Sequence, residues 1–325
     1  MKFAIISASL LCVFGSIWPL DEVLPVKLEL KPGDHICLIG NSTAERMQHF
    51  GWLETYLHSR FPEHRLTIRN LGFAGDTLTT RLRSEGFGTP DDWLTKCKAD
   101  VIFAFFGYNE SFEGIEGLGK FKTDLEAFVS HTLKQKYNSK NAPRIVLFAP
   151  LAHENLHSPY LPDGTENNER LKLYRDAIDE IANKYQLPFC DLFELSKNLF
   201  GTTKSLTING IHLHEYGDQL IGRAIDTSLF GKPNVYETEY LEKLRTAVND
   251  KSLHWFQRYR TTDGYSIYGG RADLKFTNNQ TNREVAQREM EVLDVMTANR
   301  DKNIWQTAQK QPGKVEDSNL PPFIP

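Results

Sequence analysis

The stretch Ile36-Cys37-Leu38-Ile39-Gly40-Asn41-Ser42-Thr43 decides the fold class of this chain. A short apolar run ends in Gly-Asn-Ser, and a segment with the apolar spacing of an amphipathic helix follows at once. This order is typical of a buried strand that leads into a helix. Ser42 would then lie at the carboxyl end of the strand, where open α/β sheets bind ligands, beside the free N–H groups of a helix N-terminus.

Further apolar runs alternate with helical patterns along the chain. The predicted strands are His35–Gly40, Leu66–Gly72, Val101–Gly107, Ile145–Pro150 and Leu187–Phe193. Apolar residues recur at helical spacing in four segments. The first three contain Met47, Phe50, Leu53 and Leu57; Leu118, Phe121, Leu125 and Phe128; and Leu171, Tyr174, Ile178 and Ile181. The fourth segment begins at about His214. Such alternation predicts an α/β fold, a three-layer α/β/α sandwich with a mainly parallel sheet.

The length and charge of the chain limit its organisation and partners. Its 325 residues suffice for one α/β domain of about 200 residues and an extension. The net charge is −4, without a basic excess, so nothing indicates nucleic-acid binding. The composition changes after residue 230. The predicted division is a signal peptide (1–18), an α/β domain (26–230), a mostly helical, aromatic-rich extension (231–310) and a disordered tail (311–325).

The first residues have the pattern of a secretory signal. A single charge at Lys2 precedes an apolar stretch, and small residues follow at its end, near Ser16. The stretch is too short for a comfortable membrane span, and no other run is long enough to cross a bilayer. The alternative is a buried N-terminal element. The pattern predicts a secreted or periplasmic protein.

The extension combines aromatic and basic residues. The aromatic residues are Trp255, Phe256, Tyr259, Tyr265 and Tyr268. We expect them to pack the extension against the main domain, although a sugar-stacking platform is the alternative. Thr281 and Glu284 have the spacing of a capping box, which predicts a last helix that runs to about Gln309.

Polar residues with complementary chemistry follow the predicted strands. Ser42 follows the first strand, Gly75 the second and Asn109 the third, while His212 follows the fifth after a short connection. Because the carboxyl ends of parallel strands meet at one edge, these residues can converge. Ser42 would be the nucleophile and His212 the general base and acid, with Asn209 or a nearby carbonyl orienting its ring. The N–H groups of Ser42 and Gly75 and the Asn109 amide would form an oxyanion hole. This acyl-transfer chemistry requires no metal or organic cofactor.

These blocks resemble those of the SGNH (GDSL-type) hydrolases across about Leu28 to Leu229. The matching blocks are Gly40-Asn41-Ser42, Gly75, Gly107-Tyr108-Asn109 and Asn209-Gly210-Ile211-His212. The resemblance implies a flavodoxin-like sandwich and hydrolysis of carboxylic esters, often O-acetyl groups on carbohydrates. The implied partner is therefore a small-molecule or carbohydrate ester. The chain also resembles exported SGNH-like proteins of planctomycete-type bacteria that share the aromatic extension.

The chain departs from the family pattern at three positions. Asn41 and Asn209 stand where the family usually has Asp, and Glu110 follows Asn109 where Asp is usual. An amide accepts a hydrogen bond from imidazole but does not stabilise imidazolium by charge. Another acid, among Asp191, Glu194, Glu215 and Asp218, is an alternative partner for His212. Otherwise the chain is a slow enzyme, or a carbohydrate-binding protein without hydrolytic power.

Each candidate residue also has a purely structural alternative. Ser42 is a favoured N-cap residue, Gly75 suits a turn, Asn109 is able to tie down a loop, and His212 is able to lie on the surface without a role.

A second motif competes with this assignment. His153-Glu154-Asn155-Leu156-His157 matches the H-E-x-x-H zinc signature, with Glu180 as a candidate third ligand. Zinc binding needs both histidines on one helical face, but Pro150 and Pro159 leave little room for a helix. We therefore predict a loop that lines the substrate mouth and binds no metal. The predicted substrate-lining residues are Asn41, Glu110, His153, Glu154 and Asn155.

Overall fold

The computed structural model describes residues 28–201, 204–261 and 264–324, and the predicted signal peptide lies outside them. The strands are β1 (His35–Gly40), β2 (Thr67–Asn70), β3 (Val101–Phe105), β4 (Arg144–Phe148) and β5 (Phe189–Cys190). The helices are α1 (Ser42–Phe50), α2 (Trp52–Arg60), α3 (Pro90–Lys96), α4 (Gly114–Thr132), α5 (Thr165–Tyr185), α6 (Leu192–Leu199), α7 (Glu215–Phe230), α8 (Thr238–Thr261), α9 (Tyr265–Tyr268) and α10 (Asn282–Ala308).

The strands form one parallel sheet in the order β2-β1-β3-β4-β5. Alternate residues of each strand face opposite sides, so β1 contributes to two hydrophobic cores. Ile36 and Leu38 pack with residues of α1, α2 and α7. Cys37 and Ile39 pack with residues of α3, α4 and α5 on the other side. The predicted three-layer α/β/α sandwich is therefore confirmed.

Local capping explains where the elements differ from the predicted ones. The helix expected through Met47 and Leu57 is two helices, because Gly51 between α1 and α2 has a left-handed φ of +72°. The fifth strand ends earlier than expected. The Asp191 side chain accepts a hydrogen bond from the N–H of Glu194 (3.2 Å) and so starts α6 directly after β5.

The C-terminal extension covers the β2 edge of the sheet. β2 is an edge strand, whose outer carbonyl groups need partners. Side chains of α8 and α10 donate to carbonyl oxygens along and just beyond this edge: Trp305 to Leu66 (2.7 Å), Lys251 to Ile68 (3.2 Å), Trp255 to Asn70 (2.7 Å) and Tyr259 to Leu71 (3.3 Å). The extension therefore completes the main domain.

The aromatic residues of the extension divide into buried and exposed ones. Trp255 and Tyr259 are buried in the core of the main domain, so the prediction that they pack the extension against this domain is confirmed. Tyr265 is exposed. The capping box of Thr281 and Glu284 opens α10 as predicted.

The described part of the tail, residues 311–324, has no helix or strand. Asp317 forms an ion pair with Arg300 (3.1 Å), and Asn299 donates to Asn319 (2.7 Å). These contacts hold the tail, which the sequence predicts to be disordered, against α10. Among the described helices, none combines the length and apolar character needed to cross a bilayer.

Candidate active site

Ser42 is the first residue of α1 and is separated from β1 only by Asn41. The Asn41 side chain, 2% exposed, accepts a hydrogen bond from the N–H of Thr43 (3.0 Å). Asn41 therefore caps the helix and Ser42 is not the N-cap, while the substrate-lining role of Asn41 stays a prediction. Within the described residues the Ser42 N–H has no acceptor, as expected in the first turn of a helix.

The turn into Ser42 requires glycine. Gly40 has a φ of +121°, and a Cβ atom there would lie 2.0 Å from the carbonyl oxygen of Phe105 on β3. The close packing of β1 against β3 thus brings the chain to Ser42 at the carboxyl rim of the sheet.

Ser42 and His212 line the same small cavity, of about 10 Å³. Arg46, one turn after Ser42 on α1, and Asp218 on α7 line it too. No hydrogen bond joins Ser42 to His212 within the described part of the chain. Catalytic hydrogen bonds are often long in free enzymes and tighten when substrate binds.

Asn209 fixes the loop that carries His212. Its Oδ1 atom accepts hydrogen bonds from the backbone N–H groups of His212 (2.9 Å) and Ile211 (3.2 Å). The same side chain faces Nδ1 of the His212 ring, with Oδ1 at 3.2 Å and Nδ2 at 3.1 Å. Asn209 therefore stands where the orienting acid of a Ser-His-Asp arrangement would stand.

The amide of Asn209 permits two ring tautomers of His212. If Nδ1 carries the proton it donates to Oδ1, and Nε2 is free to accept a proton. If Nδ1 is unprotonated it accepts from Nδ2, and Nε2 carries the proton instead. Only the first tautomer provides a general base at Nε2.

Electrostatics keep the His212 ring neutral. Burial lowers the pKa of His212 below its usual value, and the Arg46 guanidinium lowers it further, while Glu45 opposes these effects weakly. A neutral ring is ready to accept a proton, but no negative charge at Asn209 stabilises the imidazolium that follows. The sequence patterns did not indicate Arg46, and its one-turn spacing from Ser42 was the available signal.

The four alternative acids have other partners. Among the described residues no hydrogen bond or ion pair joins any of them to His212, although Asp218 lines the same cavity. Asp191 pairs with Arg175, Glu194 with Lys197 and Glu215 with Arg245. The Asp218 carboxyl accepts a hydrogen bond from the N–H of Trp52. Burial raises the pKa of Asp218 to about 8, so near neutral pH this carboxyl is largely uncharged.

The glycine and asparagine loops meet at the same rim. Gly75 is exposed, has a φ of +85°, and its N–H has no acceptor within the described residues. The Asn109 amide donates one hydrogen bond to the carbonyl of Asp76 (2.8 Å), next to Gly75. Because an amide group has two N–H donors, the second remains for another acceptor.

Glu110 holds these two loops together. Its carboxylate oxygens accept hydrogen bonds from the N–H groups of Gly107 (2.8 Å) and Leu78 (2.9 Å). Burial raises the pKa of Glu110, and the two backbone bonds oppose the rise. Both oxygens accept from backbone groups of the protein, and the substrate-lining role of Glu110 stays a prediction.

Glu154 supports the histidine loop from below. The side chain is 3% exposed and accepts hydrogen bonds from the N–H groups of Leu206 (2.9 Å) and Thr207 (2.8 Å) and from the Thr207 hydroxyl (2.6 Å). The Glu154 N–H also donates to the Gly210 carbonyl (2.8 Å). The prediction of a loop is correct, and the Glu154 carboxylate binds protein groups, while its substrate-lining role stays a prediction.

The other predicted substrate-lining residues of this loop are His153 and Asn155. The His153 ring is buried between Gly164 and Gly210, at either of which a Cβ atom would approach it within 2.7 Å, and its substrate-lining role stays a prediction. Asn155 is exposed and accepts a hydrogen bond from the N–H of His157 (2.7 Å). The segment is not helical. Within the described residues no His, Cys, Asp and Glu cluster fits a metal ion, which leaves the zinc alternative without support.

Comparisons with known proteins agree with this architecture. Solved structures similar to the chain include an acetylxylan esterase, Axe2, from Geobacillus stearothermophilus, recorded as a catalytic mutant (14% identity, 65% of this chain, 100% of that chain, TM-score 0.50). A putative GDSL-like lipase from Parabacteroides merdae is similar too (16% identity, 63% and 100%, TM-score 0.50). At these identities the likeness concerns the fold.

A third similar structure is BT4096, a gut microbial diltiazem-metabolizing enzyme (17% identity, 63% of this chain, TM-score 0.50). The match spans 48%, about half, of that enzyme's length. A comparison with curated proteins gave no match.

The profile of the GDSL-like Lipase/Acylhydrolase family matches residues 38–220, which is more than half of the chain. The chain belongs to this family. The match extends from β1 into α7 and so includes Ser42, Gly75, Asn109 and His212. A carboxylic ester hydrolase is the class of protein that this family membership supports.

Proposed function

We propose that this protein is a serine esterase. The Ser42 hydroxyl attacks the ester carbonyl carbon while its proton passes to Nε2 of His212. The N–H groups of Ser42 and Gly75 and the free N–H of Asn109 stabilise the resulting oxyanion. When the intermediate collapses, the proton passes to the leaving alcohol. Water, deprotonated by His212, then releases the acid from the acyl-serine and restores Ser42.

One observation carries the proposal. Ser42 and His212 line one cavity, and Asn209 occupies the Nδ1 side of the His212 ring. The N–H groups of Ser42 and Gly75 at the same rim add support, because neither has a protein acceptor among the described residues and both are available to an oxyanion.

The size of the cavity supports a short acyl group. About 10 Å³ is no more than the space for one water molecule, so a short acyl group suits this cavity better than a long one, and Leu151, Ile211 and Leu213 provide apolar walls. We infer that the acyl group is acetyl. The fold shared with an acetylxylan esterase makes an O-acetylated carbohydrate the first substrate class to test.

The test compares 4-nitrophenyl acetate with 4-nitrophenyl octanoate. The wild-type chain should hydrolyse the acetate faster, while Ser42→Ala and His212→Ala should each lose about a hundredfold. This loss is smaller than in full triads, because Asn209 already removes the acid's contribution. Ser205→Ala, at an exposed serine, is the matched control and should retain full activity. Equal turnover by wild type and Ser42→Ala would overturn the assignment.

Asn209 also favours a second candidate function, a carbohydrate-binding protein with weak or no hydrolysis. The lowered pKa of His212 and the two tautomers it can adopt would reduce the rate. Binding of an acetylated oligosaccharide without any release of acetate, by folded wild-type protein, would establish this candidate and exclude the first.

We further propose that the protein is exported, on the pattern of residues 1–18. Expression of the full chain in a bacterial host followed by intact-mass measurement tests this. Loss of about the first 18 residues and recovery outside the cytoplasm are expected. An intact chain confined to the cytoplasm would contradict export.

A further inference from the structure

A second and larger cavity, of about 240 Å³, lies under the loop of residues 73–89 that follows β2. Its lining includes the strand ends at Ile39, Gly40 and Leu71, and Asp76 from the loop. Gly40 is two residues before Ser42, and Asp76 directly follows Gly75, so this cavity adjoins both catalytic loops. A cavity of about 150 Å³ holds a benzene ring. One six-membered ring with a small substituent therefore fits.

The charged groups of this cavity do not balance. Asp76 and Arg83 form a two-point ion pair, with distances of 2.9 and 2.8 Å. Arg81, which also lines the cavity, has no carboxylate within ion-pair distance among the described residues. Its Nε atom donates to the Thr77 carbonyl (3.3 Å), and its guanidinium lies over the Phe106 ring, 5.1 Å from the centroid, while its Nη atoms have no hydrogen-bond acceptor among the described residues. The lining therefore carries a net positive charge.

Two further observations concern these arginines. Burial lowers the pKa of Arg81, because its cation is removed from water without a paired anion. The Nε atom of Arg83 is buried and has no hydrogen-bond acceptor among the described residues. Both guanidinium groups thus have donor capacity that the described chain does not use, and a bound anion would supply acceptors.

One wall of the cavity is aromatic. Phe87, Trp93 and Tyr259 pack in tilted and edge-to-face pairs, with ring centroids 5.2 Å (Phe87–Trp93) and 4.7 Å (Trp93–Tyr259) apart. The Trp93 ring donates to the Phe87 carbonyl (2.9 Å) and Tyr259 to the Leu71 carbonyl (3.3 Å), which fixes these rings. A fixed aromatic wall in a cavity that also holds a cation suits a flat ring that carries an anion.

We propose that this cavity binds a cyclic monocarboxylate of the size of a hexuronic acid. The carboxylate accepts hydrogen bonds from the Nη atoms of Arg81, and the ring lies against the aromatic wall. A planar guanidinium matches a carboxylate in a two-point contact. This site is distinct from the Ser42 cavity, and its occupancy does not depend on ester hydrolysis.

Calorimetry with the Ser42→Ala chain tests the proposal without hydrolysis. Sodium glucuronate should bind, while glucose and the uncharged methyl ester of glucuronic acid should bind at least tenfold more weakly. Benzoate distinguishes the two sources of this chemistry: tighter binding of glucuronate indicates a sugar acid, and tighter binding of benzoate an aromatic acid. Equal binding of glucuronate and its methyl ester, or no binding of either acid, would overturn the proposal.

Variants of Arg81 locate the site. Arg81→Gln should weaken glucuronate binding at least tenfold, and Arg81→Lys should weaken it less, because lysine keeps the charge but not the planar fork. Arg288→Gln on α10, where the arginine pairs with Glu291, is the matched control and should bind like the parent chain. Unchanged affinity of folded Arg81→Gln would contradict the site. If that variant does not fold, the ester comparison still decides.

Discussion

The edge of β2 and the carboxyl rim of the sheet both expose backbone groups, but the protein treats them in opposite ways. At the β2 edge, Trp305, Lys251, Trp255 and Tyr259 donate hydrogen bonds to the outer carbonyl groups. At the rim, the N–H groups of Ser42 and Gly75 have no acceptor within the described residues.

The hydrogen-bonded β2 edge serves stability, whereas the free donors at the rim serve the proposed function. Pairing every carbonyl at an edge prevents further strands from adding there and buries apolar surface. Donors without a protein acceptor at an exposed rim bond to water in the free protein and are available to an acceptor that a substrate supplies. The residues beside the unpaired donors, such as Glu110 and Glu154, are fully bonded and hold the rim in shape.

The largest expected effect is at the rim, where Asn209→Asp should raise ester hydrolysis. A carboxylate only accepts hydrogen bonds, so it selects the His212 tautomer with Nδ1 protonated and stabilises the imidazolium by charge. In serine proteases the reverse change costs about four orders of magnitude. We expect a gain in kcat of about a hundredfold to ten-thousandfold with 4-nitrophenyl acetate.

The control for this gain is Asn209→Asp combined with Ser42→Ala, in which the gain should disappear. A folded Asn209→Asp chain with wild-type kcat would show that the Asn209–His212 contact has no part in catalysis.

At the β2 edge, Trp255→Ala should reduce the free energy of unfolding by about 3–5 kcal/mol. Trp255 is 3% exposed, packs in the core between α8 and the sheet, and donates a hydrogen bond to the Asn70 carbonyl. Trp255→Phe should cost less, because the ring is retained and only the hydrogen bond is lost. Leu253→Ala on the same helix, at a 56% exposed side chain, is the matched control for urea denaturation. Equal losses for Trp255→Ala and Leu253→Ala would show that α8 does not stabilise the sheet.

Glu154→Gln should reduce the free energy of unfolding by about 1.5–3 kcal/mol, because an amide offers a donor where three donors already converge. Activity should fall as well, since this carboxylate holds the histidine loop. Glu169→Gln, at an exposed position on α5, is the control. Thermal unfolding and ester hydrolysis measure the two effects, and a loss of neither would mean that Glu154 has no supporting role.

The smallest effect is on pH dependence. The base must be unprotonated, so kcat/KM should rise with pH through the His212 pKa, and the midpoint of the rise should lie below pH 6.5, the usual histidine value. Arg46→Gln removes a cation that lowers this pKa, so the rise should move to higher pH by less than about one unit. Lys204→Gln, at an exposed position, should leave the profile unchanged. A shift to lower pH would contradict the assigned role of Arg46.

Much of this organisation follows from local sequence. The apolar runs predict all five strands, and the blocks after them predict which loops reach the rim. The roles of Asn41, Glu110 and Glu154 do not follow, because the sequence does not show whether a polar side chain faces substrate or backbone. In the structure they bond to backbone groups 2, 32 and 52 residues away. The covering of β2 by α8 and α10 has the same cause, since it joins residues more than 180 positions apart.

The most direct test of the central claim, an activated serine at the rim, is labelling by a fluorophosphonate followed by peptide mass spectrometry. The Ser42 oxygen displaces fluoride and stays bound to phosphorus, a reaction that needs the His212 base and the oxyanion donors. We expect modification at Ser42 in wild type, faster modification in Asn209→Asp and none at this peptide in Ser42→Ala. An unmodified Ser42 in both the wild-type and Asn209→Asp chains would contradict the claim.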